Sequence, residues 1–295
     1  MSDTEIGALR AKLASRVRSE DYRQRRRDMD AAFSQYPLAR DVTVEPVNAN
    51  GVRAEWTSTP QDDRDAALLY VHGGGYVIGS LNSHRHLVSE AGRAARVWAL
   101  ALGYRLAPEH PFPAAVEDAV AGYRYLLARG IRPSRIAIAG DSAGGGLVVA
   151  AMLAIREAGL DQPACGWCIS PWVDMEGIGE TMSTKEVADP MVQRAGLLDM
   201  AKLYLGAADP RSPLAAPIYA DLKGLAPLLI QVGAAETLLD DAVRLAKAAG
   251  AADVRLDLQI WPEMVHVWHL FHLELKAGLK AIEQGGAFVH DMMTR

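Results

Sequence analysis

The chain has 295 residues, half of them hydrophobic and 23% charged, with a formal net charge of −5. This is the make-up of a globular chain long enough for one large α/β domain with a small attachment, and the mild acidity gives no reason to expect a nucleic-acid partner. No apolar run is long enough to span a bilayer. The segment Met1–Arg10 is charged throughout and does not read as a secretory signal, so a cytoplasmic setting is expected.

Residues 1 to about 40 read as helical. Ile6, Leu9, Leu13 and Val17 recur at helical spacing, and Tyr22, Met29 and Phe33 continue the stripe. The basic run Arg23–Arg27 lies among Glu20, Asp21, Asp28 and Asp30 and reads as a solvated helix face. After Pro37 the pattern changes. Val42–Val47 and Val52–Trp56, joined through Asn48-Ala-Asn-Gly51, form a hairpin-like start. Six short apolar strands follow: Ala66–Val71, Val97–Leu102, Arg135–Ala139, Cys165–Ile169, Pro227–Val232 and Val254–Ile260. Amphipathic stretches such as Ala114–Arg129, Leu147–Ala158 and Asp240–Ala249 lie between several of them. Strand–helix alternation with doubly buried strands means a mostly parallel sheet. Eight strands are expected, the first two antiparallel to the rest.

Cys165 and Cys168 mimic a redox pair, but they fall inside a buried strand, where residues three apart face opposite sides. They read as core cysteines, and two cysteines alone suggest neither a disulfide framework nor a zinc site. The gap from Pro171 to Pro227 breaks the rhythm and contains one helical stretch, Val192–Leu205. A connection that long carries function. It reads as an insertion (176–211) that joins the N-terminal helices (1–40) as a cap over a catalytic body made of 41–175 and 212–295. Asp189-Pro190, within it, reads as a helix start.

Two motifs carry chemistry. The strand Ile136-Ala-Ile-Ala runs directly into Gly140-Asp-Ser142-Ala-Gly144, and a small-residue helix follows. That strand–turn–helix context marks Ser142 as a nucleophile on a tight turn, with flanking glycines where side chains would collide. The second motif, His72-Gly-Gly-Gly-Tyr76, also follows an apolar strand. Successive glycines expose amide donors of the kind a tetrahedral oxyanion needs. A phosphate cradle would require a following Lys-Ser/Thr, which is absent.

With Tyr104-Arg-Leu-Ala-Pro-Glu109-His-Pro-Phe-Pro-Ala114 added to these two motifs, the sequence resembles the bacterial hormone-sensitive-lipase-like esterases of the α/β-hydrolase superfamily over about residues 66–266. The resemblance implies an α/β-hydrolase fold, with an eight-stranded mostly parallel sheet and a helical cap. It implies that the amides of Gly74, Gly75 and Ala143 form the oxyanion hole and that His72 braces the loop. It also implies a homodimer paired through the last strand edge, which the residues themselves do not derive. Tyr104, Arg105 and Glu109 are expected to form a buried structural ion pair.

A serine needs a base and the base an orienting acid, in the order Ser, acid, His. His266 follows the last strand across a short loop, where this fold places its base. His269 is the rival, and His272 reads as a helix-face residue. At the acid position, where the family carries Asp, the stretch Gly233-Ala-Ala-Glu236-Thr-Leu-Leu-Asp240-Asp241 presents Glu236. Asp240 is the alternative, although Asp240 and Asp241 sit where helix N-terminal carboxylates belong. The expectation is a cofactor-free and metal-free serine hydrolase of short-chain acyl esters. It would use Ser142, Glu236 and His266 on a small-molecule ester, with no nucleic-acid or membrane partner. Rival readings put the same site to work on a lactone, carbamate or amide, or make the chain a non-catalytic receptor of the same fold.

Overall fold

The computed structural model describes residues 4–16 and 19–294; Val17 of the N-terminal stripe lies outside them. Its eight strands are β1 (Thr43–Ala49), β2 (Val52–Ser58), β3 (Asp63–Val71), β4 (Val97–Leu102), β5 (Ile136–Asp141), β6 (Cys165–Ile169), β7 (Leu228–Gly233) and β8 (Leu256–Trp261). They form one sheet in the order β1-β2-β4-β3-β5-β6-β7-β8. Every pairing from β4 to β8 is parallel, while β2 is antiparallel to both of its neighbours. The expectation that both of the first two strands oppose the rest is corrected. A hairpin reverses the chain once between β1 and β2, and β2 is reversed again against β4, so β1 points the same way as the parallel strands.

The helices are α1 (Thr4–Ala14), α2 (Tyr22–Phe33), α3 (Leu81–Ala95), α4 (Ala114–Ala128), α5 (Ala143–Glu157), α6 (Thr181–Thr184), α7 (Arg194–Leu205), α8 (Leu239–Ala251) and α9 (Lys276–Thr294). They cover both faces of the sheet, which is why its central strands are unbroken apolar runs. In β3, Ala66, Leu68 and Tyr70 face the core shared with α1, α3 and α9, whereas Ala67, Leu69 and Val71 face the core shared with α4, α5 and α8. Cys165 and Cys168 divide between these two cores in the same way, both free and buried. Burial pushes the Cys168 thiol up to about 12, so it stays an inert thiol at neutral pH.

α1 buries Ile6, Leu9 and Leu13, each contributing roughly 1.5–3 kcal/mol to its docking. Arg10 donates to the carbonyl of Glu263, and Lys12 pairs with Glu274. The helix therefore lies along the segment that carries His266. α2 starts on an Asp21 cap, whose side chain accepts from the Arg23 amide. Its basic run is only partly a solvated face. Arg26 reaches inward, donating to the carbonyls of Val77 and Ala107 at 2.7 Å each and pairing with Glu109 at 2.8 Å. The segment between β6 and β7 carries α6 and α7, both within the expected insertion, and beyond it a 3-10 turn at Pro217–Tyr219. Among the described residues no helix is long and apolar enough to cross a membrane.

Candidate active site

The fully buried strand β5 ends in Asp141, and Ser142 turns the chain into α5 with φ 56° and ψ −121°. A non-glycine residue at positive φ costs of order 1–3 kcal/mol, and the surroundings hold it there. The Ser142 amide donates to Ile169 at 2.8 Å, and its carbonyl accepts from Gly146 and Trp172. A Cβ on Gly144 would strike the backbone carbonyls of Val71 and His72. Glycine at this position lets the turn press against the end of β3, from which the glycine loop springs.

Three loops at the C-terminal ends of β5, β7 and β8 bring the expected trio together. The Ser142 hydroxyl donates to His266 Nε2 at 2.9 Å, and His266 Nδ1–H donates to Glu236 Oε2 at 2.8 Å. All three side chains are buried, Ser142 retaining 9% exposure and His266 5%. Burial opposes a charge on His266, but the hydrogen bond and charge of Glu236 outweigh it and hold the imidazole above its ordinary value. Burial likewise pushes the Glu236 carboxyl up, against the hydrogen bond from His266. Glu236 Oε1 is held separately, by the Ser170 hydroxyl at 2.7 Å and the Gly233 amide. The extra methylene of Glu is thus accommodated with both oxygens anchored.

The glycine loop sits beside this trio. Gly74 and Gly75 have φ of 112° and 63°, conformations open to glycine. Among the described residues, the amides of Gly74, Gly75 and Ala143 donate to no protein acceptor. The loop is pinned from behind by Asp141, whose Oδ1 accepts from the Gly73 amide at 3.1 Å and from the Tyr70 hydroxyl at 2.9 Å. Burial would raise the Asp141 carboxyl, yet His84 and the Tyr70 hydrogen bond bring it below its ordinary value. His72 packs its ring against His84 and Tyr104. Its Nδ1–H donates to the Gly73 carbonyl at 2.8 Å, and burial lowers it to about 3. It is a neutral brace, as the resemblance implied.

The other expected residues go elsewhere. His269 is fully buried on a 3-10 turn, with Nε2 at 3.0 Å from Gln231 Oε1, and burial lowers it to about 3. His272 is 8% exposed, lowered by burial, and donates to the His269 carbonyl. Neither lies on a solvated helix face, because the chain after Val267 folds into the core rather than into a helix. Asp240 opens α8 and accepts from the Glu180 amide, away from His266. Arg105 and Glu109 do not pair with each other. Arg105 binds Asp118 and Glu117, while Glu109 binds Arg26; of these side chains only Asp118 is buried. Tyr104 does the bracing, donating to the His72 carbonyl at 2.7 Å. Asp189 caps no helix either, since α7 begins five residues later behind Gln193.

Ser170 was missed. It follows β6, accepts from the Val267 amide and donates to Glu236, so it ties Glu236 to the loop that carries His266. The signal was a polar residue at a strand's C-terminal end, in Ile169-Ser170-Pro171. Among the described residues, no group of three or more His, Cys, Asp or Glu could hold a metal.

Residues 68–270 match the family model of the alpha/beta hydrolase fold. An acetyl-hydrolase of Streptomyces hygroscopicus is 52% identical over 80% of this chain and 79% of that one. The crystal structure of an esterase from the bacterial hormone-sensitive lipase family superposes with a TM-score of 0.97 at 47% identity, covering 99% of both chains. That of EstE5 soaked with p-nitrophenyl butyrate gives 0.96 at 45% identity, covering both chains fully, and EstE5 is also seen with PMSF. The chain belongs to the hormone-sensitive-lipase-like family of α/β hydrolases. It is a carboxylic ester hydrolase, and the non-catalytic reading falls.

Proposed function

We propose that this enzyme hydrolyses short-chain acyl esters through an acyl-enzyme on Ser142, with His266 as the base and Glu236 as the acid. The observation that carries the reading is the unbroken chain Ser142–His266–Glu236, at 2.9 and 2.8 Å, together with three amides that have no protein acceptor among the described residues. Ser142 Oγ attacks the ester carbonyl as its proton passes to His266 Nε2. The carbonyl oxygen becomes an oxyanion held by the amides of Gly74, Gly75 and Ala143. Collapse expels the alkoxide, which leaves as alcohol with the proton from Nε2. Water then repeats the sequence on the acyl-enzyme. Glu236 fixes the tautomer with Nδ1–H and stabilises the imidazolium formed in each half.

Residues 1–40 and 176–211 form the cap in this reading. Its support is the way α1 lies along the His266 segment, Arg26 of α2 bonds Val77 beyond the glycine loop, and Met200 of α7 presses on Gly75. A Cβ on Gly75 would strike the Met200 sulfur, so little depth remains on that side for a long acyl chain. The related EstE5 soaked with p-nitrophenyl butyrate points the same way. The test is turnover across p-nitrophenyl esters of increasing length. A peak at short chains is expected, since each methylene adds ~0.8 kcal/mol only while the pocket has room; a peak at a dodecanoyl or longer ester overturns it.

A further inference from the structure

Asp189 belongs to the insertion, between α6 and α7, and is 1% exposed. Its Oδ1 accepts the amides of Met191 and Val192 at 2.8 and 3.0 Å, which shapes the turn at Pro190. Its Oδ2 leaves the insertion altogether. It accepts the amide of Thr237 at 3.0 Å and the Thr237 hydroxyl at 3.2 Å. Thr237 is the residue directly after Glu236. A turn needs only the first pair of bonds, and burying a carboxylate for a turn alone is costly when a neutral side chain would serve. The second pair joins two segments that lie 48 positions apart in the chain.

The peptide following Glu236 sets the direction in which that side chain leaves the backbone. Glu has one more rotatable bond than Asp, so its carboxylate is placed only as well as its backbone and its end are both held. Ser170 and Gly233 hold the end. Thr237, through Asp189, holds the backbone. We propose that Asp189 is a positioning residue for the hydrolysis: it locks the peptide after Glu236 to the insertion, so that the acid is aligned on His266 only while the insertion is seated. This rests on Glu236 serving as the acid. Asp189 also contributes charge. The carboxylates that act on His266 are Glu236 after β7, Asp189 in the insertion and Asp141 at the end of β5, all of which favour the protonated imidazole.

Asp189→Asn keeps the shape, removes the charge and sets an NH2 against one pair of donors. It is measured beside Glu236→Gln on one short p-nitrophenyl ester, with rates expressed per site titrated by a fluorophosphonate. The expected result is a fall in kcat of roughly 10–100-fold with KM changed by less than about threefold, because transition-state alignment and not ester binding is lost. The acid limb of kcat/KM should also move to lower pH as a negative neighbour of His266 disappears. A variant with wild-type kcat and limb, or with a loss confined to KM, overturns the proposal while Glu236→Gln remains damaging. A harmless Glu236→Gln instead removes the acid reading on which the proposal stands. Should Asp189→Asn fail to fold, Thr237→Val, which deletes the hydroxyl contacts to Asp189 and to the Val192 carbonyl of the insertion and leaves the amide bond, must lower kcat about two- to fivefold; unchanged turnover overturns the proposal.

Discussion

Glu236→Gln tests the acid through three hydrogen bonds that one side chain cannot keep at once. The carboxylate accepts from Gly233, Ser170 and His266. If the Gln carbonyl stays with Gly233 and Ser170, its NH2 faces His266 Nδ1, which must then accept. The imidazole is forced into the tautomer with hydrogen on Nε2 and cannot take the Ser142 proton. If the amide flips to keep His266, the NH2 meets two donors and the loop gives way. Either outcome should lower kcat by roughly 10²–10⁴-fold. The acid limb of kcat/KM carries an independent sign. His266 must be neutral to act, so activity rises with pH through its pKa, which lies above the ordinary imidazole value in the wild type. Burial, the largest influence, lowers that pKa; Glu236 raises it. Without the carboxylate the limb should shift to lower pH. Asp240→Asn is the control. Its carboxylate accepts from Glu180, and turnover should stay within about threefold, since the lost contact is a partly exposed helix-end bond. The assay is a pH series for all three proteins on one p-nitrophenyl ester. If Asp240→Asn is the more damaging, or the Glu236→Gln limb does not move, Glu236 is not the acid.

Ser142→Ala should lose about 10⁴–10⁶-fold in turnover with the fold retained, and a fluorophosphonate should label Ser142 alone; activity above a few per cent would place the nucleophile elsewhere. Asp241 is fully buried, accepts from the amides of Val173 and Asp174, and burial pushes its carboxyl up to about 7. A raised carboxyl pKa contributes stability that is complete at acid pH and lost as pH rises through about 7. Asp241→Asn does not titrate, so its stability relative to wild type should improve by about 2–4 kcal/mol between acid and mildly alkaline pH. Urea unfolding at the two pH values reads this, and a difference that stays flat or reverses refutes it. Deleting residues 1–35 removes Ile6, Leu9, Leu13 and Phe33 from the core beneath His266 and removes Arg26 from Val77. Solubility and kcat should both fall, and unchanged kinetics on a short ester would show that this segment is no cap.

What the sequence settled by itself is whatever depends on near neighbours. Runs such as Ala66–Val71 announce doubly buried strands because each side chain needs an apolar partner on one face or the other. Gly140-Asp-Ser142-Ala-Gly144 and His72-Gly-Gly-Gly-Tyr76 are legible because steric demands at a tight turn are local. The order of Ser142, Glu236 and His266 could be read because each closes or follows a strand. Tertiary structure decided the rest, where partners come from distant parts of the chain. Strand direction at β1 depends on two successive reversals, and charge pattern alone could not reveal that Arg26 turns inward to Val77 and Glu109. Arg105 found Asp118 instead of Glu109 because the loop between them folds back on α4. His269 and His272, polar in any linear reading, are buried because the chain after Val267 packs between α3 and α9. Asp189 looked like a helix start because its local neighbours suit one, yet its second oxygen answers to Thr237. A carboxylate has two acceptor atoms, and sequence proximity accounts for only one of them.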